Sequence, residues 1–280
     1  MFLSSMSPAT SLSALRERIR QIERPAGHRV LPFGIKAVDQ VLPGGGLALG
    51  AVHEIIGYGG DEEDGAAAAG FAAGILARIK KGEEPGQGPV LWCLKQPDLY
   101  GPGLLAHGLD PARLVLVVAQ RDDELLWTIE EGLRSGPAAG LAAVVGEIGR
   151  LPMVASRRLQ LAAERSGIIT LLLRRWRSGA EAAAERNRPS AALTRWRVTA
   201  SSSKDPGWGV GVGARKIRNI GQPRWRVELL RCRGGVPAAW IVEVADATGH
   251  VFVSAELADR PVAPAPTIRE HNEPQHRRTG

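Results

Sequence analysis

Between Val52 and Ile79 the chain reads VHEIIGYGGDEEDGAAAAGFAAGILARI, and few folds accommodate that order of residues. An apolar, β-prone run (Val52, Ile55, Ile56) ends in a Gly-rich turn and passes into an Ala-rich segment of high helix propensity. Strand, glycine turn, helix is the layout of a phosphate-binding loop, in which backbone N–H groups and the helix dipole receive an anion. A working loop reads G-x-x-x-x-G-K-[ST], with Lys reaching the phosphates and the hydroxyl ligating Mg²⁺. Gly57 precedes this turn, and Gly60 and Gly65 stand at the required interval, but Ala66 and Ala67 follow them. Neither the cation nor the hydroxyl is there. The residues between the glycines are Asp61, Glu62, Glu63 and Asp64. Carboxylates near a helix N-terminus are stabilising by about 0.3–1 kcal/mol each when exposed, and here they guard the place a triphosphate would need. The stretch is therefore either a nucleotide site or a strand–helix corner whose anions are its own side chains. The missing Lys and hydroxyl favour the corner.

Around this stretch, apolar runs alternate with helical spacing. Val90–Leu94, Leu114–Val118, Leu141–Val145 and Ile168–Leu173 read as strands buried on both faces. Segments 97–108, 122–133 and 156–165 read as the helices between them. This spacing predicts an α/β fold with a mainly parallel sheet flanked by helices. Ala180–Pro189 reads as a loop or short helix. After it, Leu193–Thr199, Trp225–Leu230 and Ala239–Val244 alternate polar and apolar residues with no helix between them, which predicts an antiparallel C-terminal extension. Residues 201–221 read as a long mobile loop and 259–280, with four prolines, as a disordered tail. The expected organisation is an N-terminal arm over 1–24, one domain over 25–258 and the tail. Leu12, Leu15, Ile19 and Ile22 give the arm an amphipathic helical face that needs a surface to dock on.

Charge separates the chain into two parts. From Leu151 to Arg233 there are 18 Lys and Arg against 5 Asp and Glu, a net +13, which leaves −6 for the rest of a chain whose total is +7. A polyanion or an acidic partner on one side is implied. Cys93 and Cys232 lie far apart and suggest no disulfide, and the histidines show no metal-ligand spacing. No metal or cofactor is expected. Residues 1–24 lack a signal-peptide core, and no apolar run approaches the ~18 residues of a membrane span, so the chain reads as soluble and cytoplasmic.

Arg-Trp-Arg occurs three times, at 175–177, 195–197 and 224–226. On a strand the Trp faces one side and both arginines the other. An outward Trp would stack on a base beside Arg175, Arg177, Arg195 or Arg197; an inward Trp would be core. Val227 and Leu229 lie in phase with Trp225 and favour core there, while the other two are less constrained. In Gly207–Gly221, Trp208, Arg215, Lys216 and Arg218 offer an aromatic and three cations among glycines, a candidate contact for single-stranded DNA or a partner, or else a solvated loop. The Gly-Val repeats of this segment do not follow a strand and open no helix, so they are not a dinucleotide fingerprint.

The run Gly34-x-x-x-Val38-Asp39-x-x-Leu42-Pro43-Gly44-Gly45-Gly46-Leu47-x-x-Gly50-x-Val52-His53-Glu54-Ile55 resembles the approach to the phosphate loop in the RecA recombinase core, and the order of elements is similar over roughly 29–244. The resemblance implies a RecA-like core. It also implies three departures. The Lys-Thr pair of RecA-type ATPases is replaced by Ala66-Ala67; Lys95-Gln96 stand where the catalytic carboxylate is expected; Gly146-Glu147 stand where the magnesium-site Asp is expected, leaving Glu147 as a lone candidate for a cation. Hydrolysis needs a phosphate clamp and a positioned base together, so the resemblance reads as a pseudo-ATPase. Within this lineage the segments 155–164 (ASRRLQLAAE), 171–174 (LLLR), 194–198 (TRWRV) and 223–231 (PRWRVELLR) are similar to the ImuA family. That resemblance implies an SOS-inducible adaptor in translesion synthesis. Its implied partners are RecA, an ImuB-type Y-family polymerase homologue and, indirectly, an error-prone polymerase α subunit. A DNA-dependent ATPase of the RecA type and a SulA-like cell-division inhibitor are the alternatives.

Overall fold

The computed structural model describes residues 29–79, 88–202, 208–209, 217–218, 223–244 and 251–257. The N-terminal arm, Arg215, Lys216 and the tail lie outside them. The first described residues form β1 (Val30–Leu31), α1 (Lys36–Asp39) and β2 (Leu47–Ala48), with β1 and β2 paired antiparallel. Then come β3 (Val52–Ile56), α2 (Asp61–Ala77), β4 (Val90–Leu94), α3 (Gly101–Ala106), β5 (Leu114–Val118), α4 (Asp122–Ser135) and β6 (Ala143–Ile148). The chain continues through α5 (Met153–Ser166), β7 (Ile169–Arg174), α6 (Gly179–Glu185), β8 (Thr194–Ser201), the short β9 (Trp208–Gly209) and β10 (Ile217–Arg218), β11 (Arg224–Cys232), β12 (Ala238–Val244) and β13 (Val251–Leu257).

The main sheet has nine strands in the order β13-β12-β11-β8-β3-β7-β6-β4-β5. The six from β8 to β5 are parallel, and β11, β12 and β13 continue antiparallel. The α/β class and the antiparallel C-terminal extension are as the residue pattern predicts. Two placements differ. The strand predicted over 193–199 as the start of the antiparallel part is β8, parallel to β3, because α6 supplies the crossover between β7 and β8. The run Leu114–Val118 is a strand, but it is not buried: β5 is the sheet edge, with Val115, Leu116 and Val118 46%, 49% and 47% exposed.

Each parallel strand sends alternate residues to opposite layers. Ile55, Trp92, Leu171 and Trp196 pack with Phe71, Ala72, Ile75 and Leu76 of α2. Val52, Leu91, Cys93, Val144 and Leu172 pack with Leu125, Ile129 and Leu133 of α4 and Leu159 and Ala163 of α5. Helix α2 is buried without a break from Gly70 to Leu76, which explains why it is built from Ala, Gly and aliphatic residues rather than patterned with charge. Among the described residues no helix is long and apolar enough to cross a membrane.

His53 ties the N-terminal segment to this core. It is fully buried, with Nε2 2.9 Å from the Ala48 carbonyl and Nδ1 2.8 Å from Thr194 Oγ1. A carbonyl only accepts, so Nε2 carries the proton. Thr194 accepts from Trp196 Nε1 at 2.8 Å, so its own hydroxyl donates to Nδ1. Both ring nitrogens are satisfied only in the neutral form, and burial lowers the pKa from 6.5 to about 4. The unfolded chain therefore takes up this proton first on acidification. Above pH 6.5 the residue contributes its full stability, and that contribution falls by about 1.4 kcal/mol per pH unit between 6.5 and 4. Denaturant titrations of wild type and His53→Gln across this range are expected to show a shallower acid limb in the variant.

Candidate functional site

In an open α/β sheet, ligands bind beyond the carboxyl ends of the parallel strands. Here that edge is the corner from Ile56 to Asp64 together with the residues after β4, β6 and β7. The corner is not the loop its glycine spacing suggests. Gly60 is the residue capping α2, and Asp61 to Asp64 form the first turn of that helix. Four acidic residues favour a helix N-terminus and the alanines favour continuation, so the helix starts before Gly65 rather than after it. Ala66 is exposed and Ala67 is buried in the core, both one turn past the helix start.

Asp64 closes the corner from inside. Its carboxylate is buried, and Oδ2 accepts from the backbone N–H of Tyr58 at 2.7 Å and of Gly59 at 3.3 Å. Oδ1 accepts from Ala200 N–H on β8 at 3.2 Å. The first N–H of the helix, on Asp61, donates to the Trp176 carbonyl at 2.8 Å. The Tyr58, Gly59 and Asp61 donors, of the kind that would hold a phosphate, are thus committed within the chain. Gly57 is required by this packing, since a Cβ there would lie 2.7 Å from Asp64 Cβ. The space left over is about 10 Å³, roughly room for one water.

The adjoining cleft is bridged by Arg175. Its Nε lies 2.8 and 2.9 Å from the two Asp61 oxygens, Nη1 and Nη2 lie 2.9 and 2.7 Å from the oxygens of Asp98, and Nη1 lies 2.5 Å from Glu147 Oε2. One guanidinium therefore joins the start of α2, the segment after β4 and the end of β6. Its bonds to Asp98 and Asp61 push the Arg175 pKa up, and hold the Asp98 carboxyl below its ordinary value. Burial raises Glu147, against the pull of Arg175 and of Trp92 Nε1, which donates to Oε1 at 2.7 Å. Both oxygens of this candidate cation ligand thus accept from side chains of the same chain. Lys95, at the position where the catalytic carboxylate is expected, pairs with Asp122 at 2.6 Å. The cleft encloses about 80 Å³, well short of the roughly 300–1,000 Å³ of small-molecule sites.

Beneath the corner lies a second ion cluster. Glu54 is fully buried and accepts from Arg195 Nε at 2.5 Å and Arg174 Nη1 at 3.5 Å. Arg174 also donates to the Gly149 carbonyl at 2.8 Å and meets Glu185 at 3.5 Å. Arg195 reaches the Arg186 and Arg188 carbonyls at 3.1 and 2.8 Å, and Ser190 Oγ at 3.1 Å. No spacing rule pairs Glu54 with arginines so far along the chain; only the parallel register of β3 with β7 and β8 does so.

The three Arg-Trp-Arg tryptophans all face inward. Trp176, Trp196 and Trp225 are buried, Trp196 among Phe33, Phe71 and Trp240 at 5.4, 5.7 and 6.3 Å between ring centroids. Stacking of a base on Trp176 or Trp196 is therefore excluded by burial. Of the arginines singled out in the sequence, Arg175 and Arg195 are committed as described. Arg197 pairs with Glu228 at 2.6 Å across β8 and β11, and lies over the Tyr58 ring. Arg177 is exposed, and its backbone N–H donates to Glu181. Trp208 and Arg218 occupy opposed positions in the β9–β10 pair.

These features define a doubly wound α/β protein whose strand–helix corner is closed by its own Asp64 and whose adjoining cleft is bridged by its own Arg175. No family model matches the chain. Protein ImuA of Caulobacter vibrioides, from two strains, is 39% identical to it over 243 residues, which cover 84% of this chain and 93% of that protein. The chain belongs to the ImuA family.

Proposed function

We propose that this chain is a non-catalytic, RecA-like adaptor in damage-induced mutagenesis, with a single working domain over 25–258. It would join RecA or damaged DNA to an ImuB-type polymerase homologue in translesion synthesis. The observation that carries this reading is the corner in which Asp64 takes the backbone donors and Arg175 spans the cleft. A protein that fills its own phosphate position has the fold of a nucleotide switch held in one state. What remains to act is surface. Here the edge strand β5 is informative, because natural sheets normally shield an apolar edge, and Val115, Leu116 and Val118 are exposed on a strand whose outer edge pairs with no described strand. Among the residues singled out in the sequence, Arg177, Trp208, Arg215, Lys216 and Arg218 remain the candidate contacts for DNA.

Co-purification with the ImuB-type partner tests the adaptor reading. Complex formation is expected to be equal with and without ATP and Mg²⁺, and to weaken about tenfold or more in Leu116→Glu, which places a charge on the apolar edge. Capture that requires ATP would contradict the reading.

A further inference from the structure

Helices α4 and α5 pack side by side and leave an open groove of about 240 Å³ on their outer surface. Its apolar lining comes from Leu133, Pro137, Leu161 and Ala162. A cavity of about 150 Å³ is enough to take a benzene ring, so this one admits a large apolar side chain. Leu161 is 51% exposed, and Val154, two turns earlier on the same helix, is 71% exposed. Arg157 and Arg165 stand one turn before and one turn after Leu161, on the same line of the helix. Neither has a carboxylate partner among the described residues. Arg158 and Arg134, by contrast, are engaged with Glu130, and Arg134 also with Glu131.

The outer face of α5 thus carries apolar side chains flanked by uncompensated cations, over about 16 Å from residue 154 to residue 165. A solvated helix face does not need Val and Leu at such positions, and exposed apolar side chains set between the arginines favour a protein segment over a phosphate backbone, which has nothing to bury against them. We propose that the α4–α5 groove is a docking site for an acidic, amphipathic helical segment of a protein partner. One apolar side chain of that segment fills the groove over Leu161, and its carboxylates meet Arg157 and Arg165. The groove lining includes no residue of the closed corner or of β5, so the inference does not depend on the function proposed above.

A random-peptide display library panned on the full-length chain tests it, followed by fluorescence anisotropy of the leading peptide. The expected result is a consensus of negative charge with apolar residues at three- and four-residue spacing. Its affinity should drop about tenfold in Leu161→Glu and again in Arg165→Glu, with thermal melting unchanged because both side chains are exposed. Leu116→Glu, outside the groove lining, should leave it unaffected. A consensus without acidic residues, or one whose binding survives Leu161→Glu and Arg157→Glu, would overturn the proposal. So would a single-stranded DNA oligonucleotide that displaces the peptide and is itself sensitive to Arg165→Glu but not to Leu161→Glu, since that pattern marks a nucleic-acid surface.

Discussion

Replacing Glu54 by alanine is expected to lower the free energy of unfolding by about 3–5 kcal/mol, the largest effect of any single substitution considered for this chain. Glu54 has no solvent exposure, and the Arg174 side chain is only 2% exposed. Removing the carboxylate leaves two guanidinium groups in the interior with no full counter-charge, and burial already lowers the pKa of Arg174. The loss is therefore mainly the cost of stranded cations, not the net value of the ion pairs. A double variant, Glu54→Leu with Arg195→Met, should recover much of it, because apolar replacement of a whole buried pair is often neutral. Urea denaturation of the three proteins measures this. A loss below about 1 kcal/mol in Glu54→Ala would mean that water reaches the cluster and that it does not hold β3, β7 and β8 together.

The second large effect is expected at Arg175. In Arg175→Ala, Asp61, Asp98 and Glu147 keep their positions around an absent cation, at a cost of about 1–3 kcal/mol at neutral pH, less than for Glu54 because the cleft is partly open to solvent. The pH dependence gives the sign. Asp98 is held below its ordinary pKa in the wild type, so its contribution is present above the unfolded value and lost as pH falls. Glu147 is raised by burial, and without Arg175 it rises further. A raised carboxyl penalises the folded state above its unfolded pKa and ceases to do so once protonated. Both arguments run in one direction. The deficit of the variant should shrink as pH is lowered through the folded pKa of Glu147, which paired thermal melts over a pH series will register. A deficit that grows on acidification would contradict the clamp.

The α/β class and the antiparallel end of the sheet are legible in the residues, because apolar runs such as Val90–Leu94 and helical spacings such as Leu125, Ile129 and Leu133 report local periodicity. That Ala66-Ala67, not Lys and Ser or Thr, follow Gly65 is legible for the same reason: it is a local pattern. Sheet order is not local. The LVLVV run of β5 reads as buried on composition alone, and only its position at the end of the nine-stranded order exposes it. Likewise the parallel direction of β8 depends on where the short helix α6 carries the chain. The three Arg-Trp-Arg copies look alike in sequence, yet Arg175 bridges a cleft, Arg195 is buried and Arg224 pairs with Glu243 across β11 and β12. Their fates are decided by carboxylates far away in the chain. Asp64 is an instance of both limits: its charge is visible, while its service to Tyr58, Gly59 and Ala200 requires the helix to begin four residues earlier than a phosphate loop would allow.

The most direct test of the closed corner is isothermal titration of the full-length chain with Mg²⁺–ATP, paired with a phosphate-release assay, each with and without single-stranded DNA. No saturable heat up to millimolar ATP and no phosphate release is the predicted result, since Asp64 takes backbone donors of the corner and Arg175 spans the cleft. Saturable binding or DNA-stimulated turnover would show that the corner opens, and the chain would then be an ATPase rather than a nucleotide-independent adaptor.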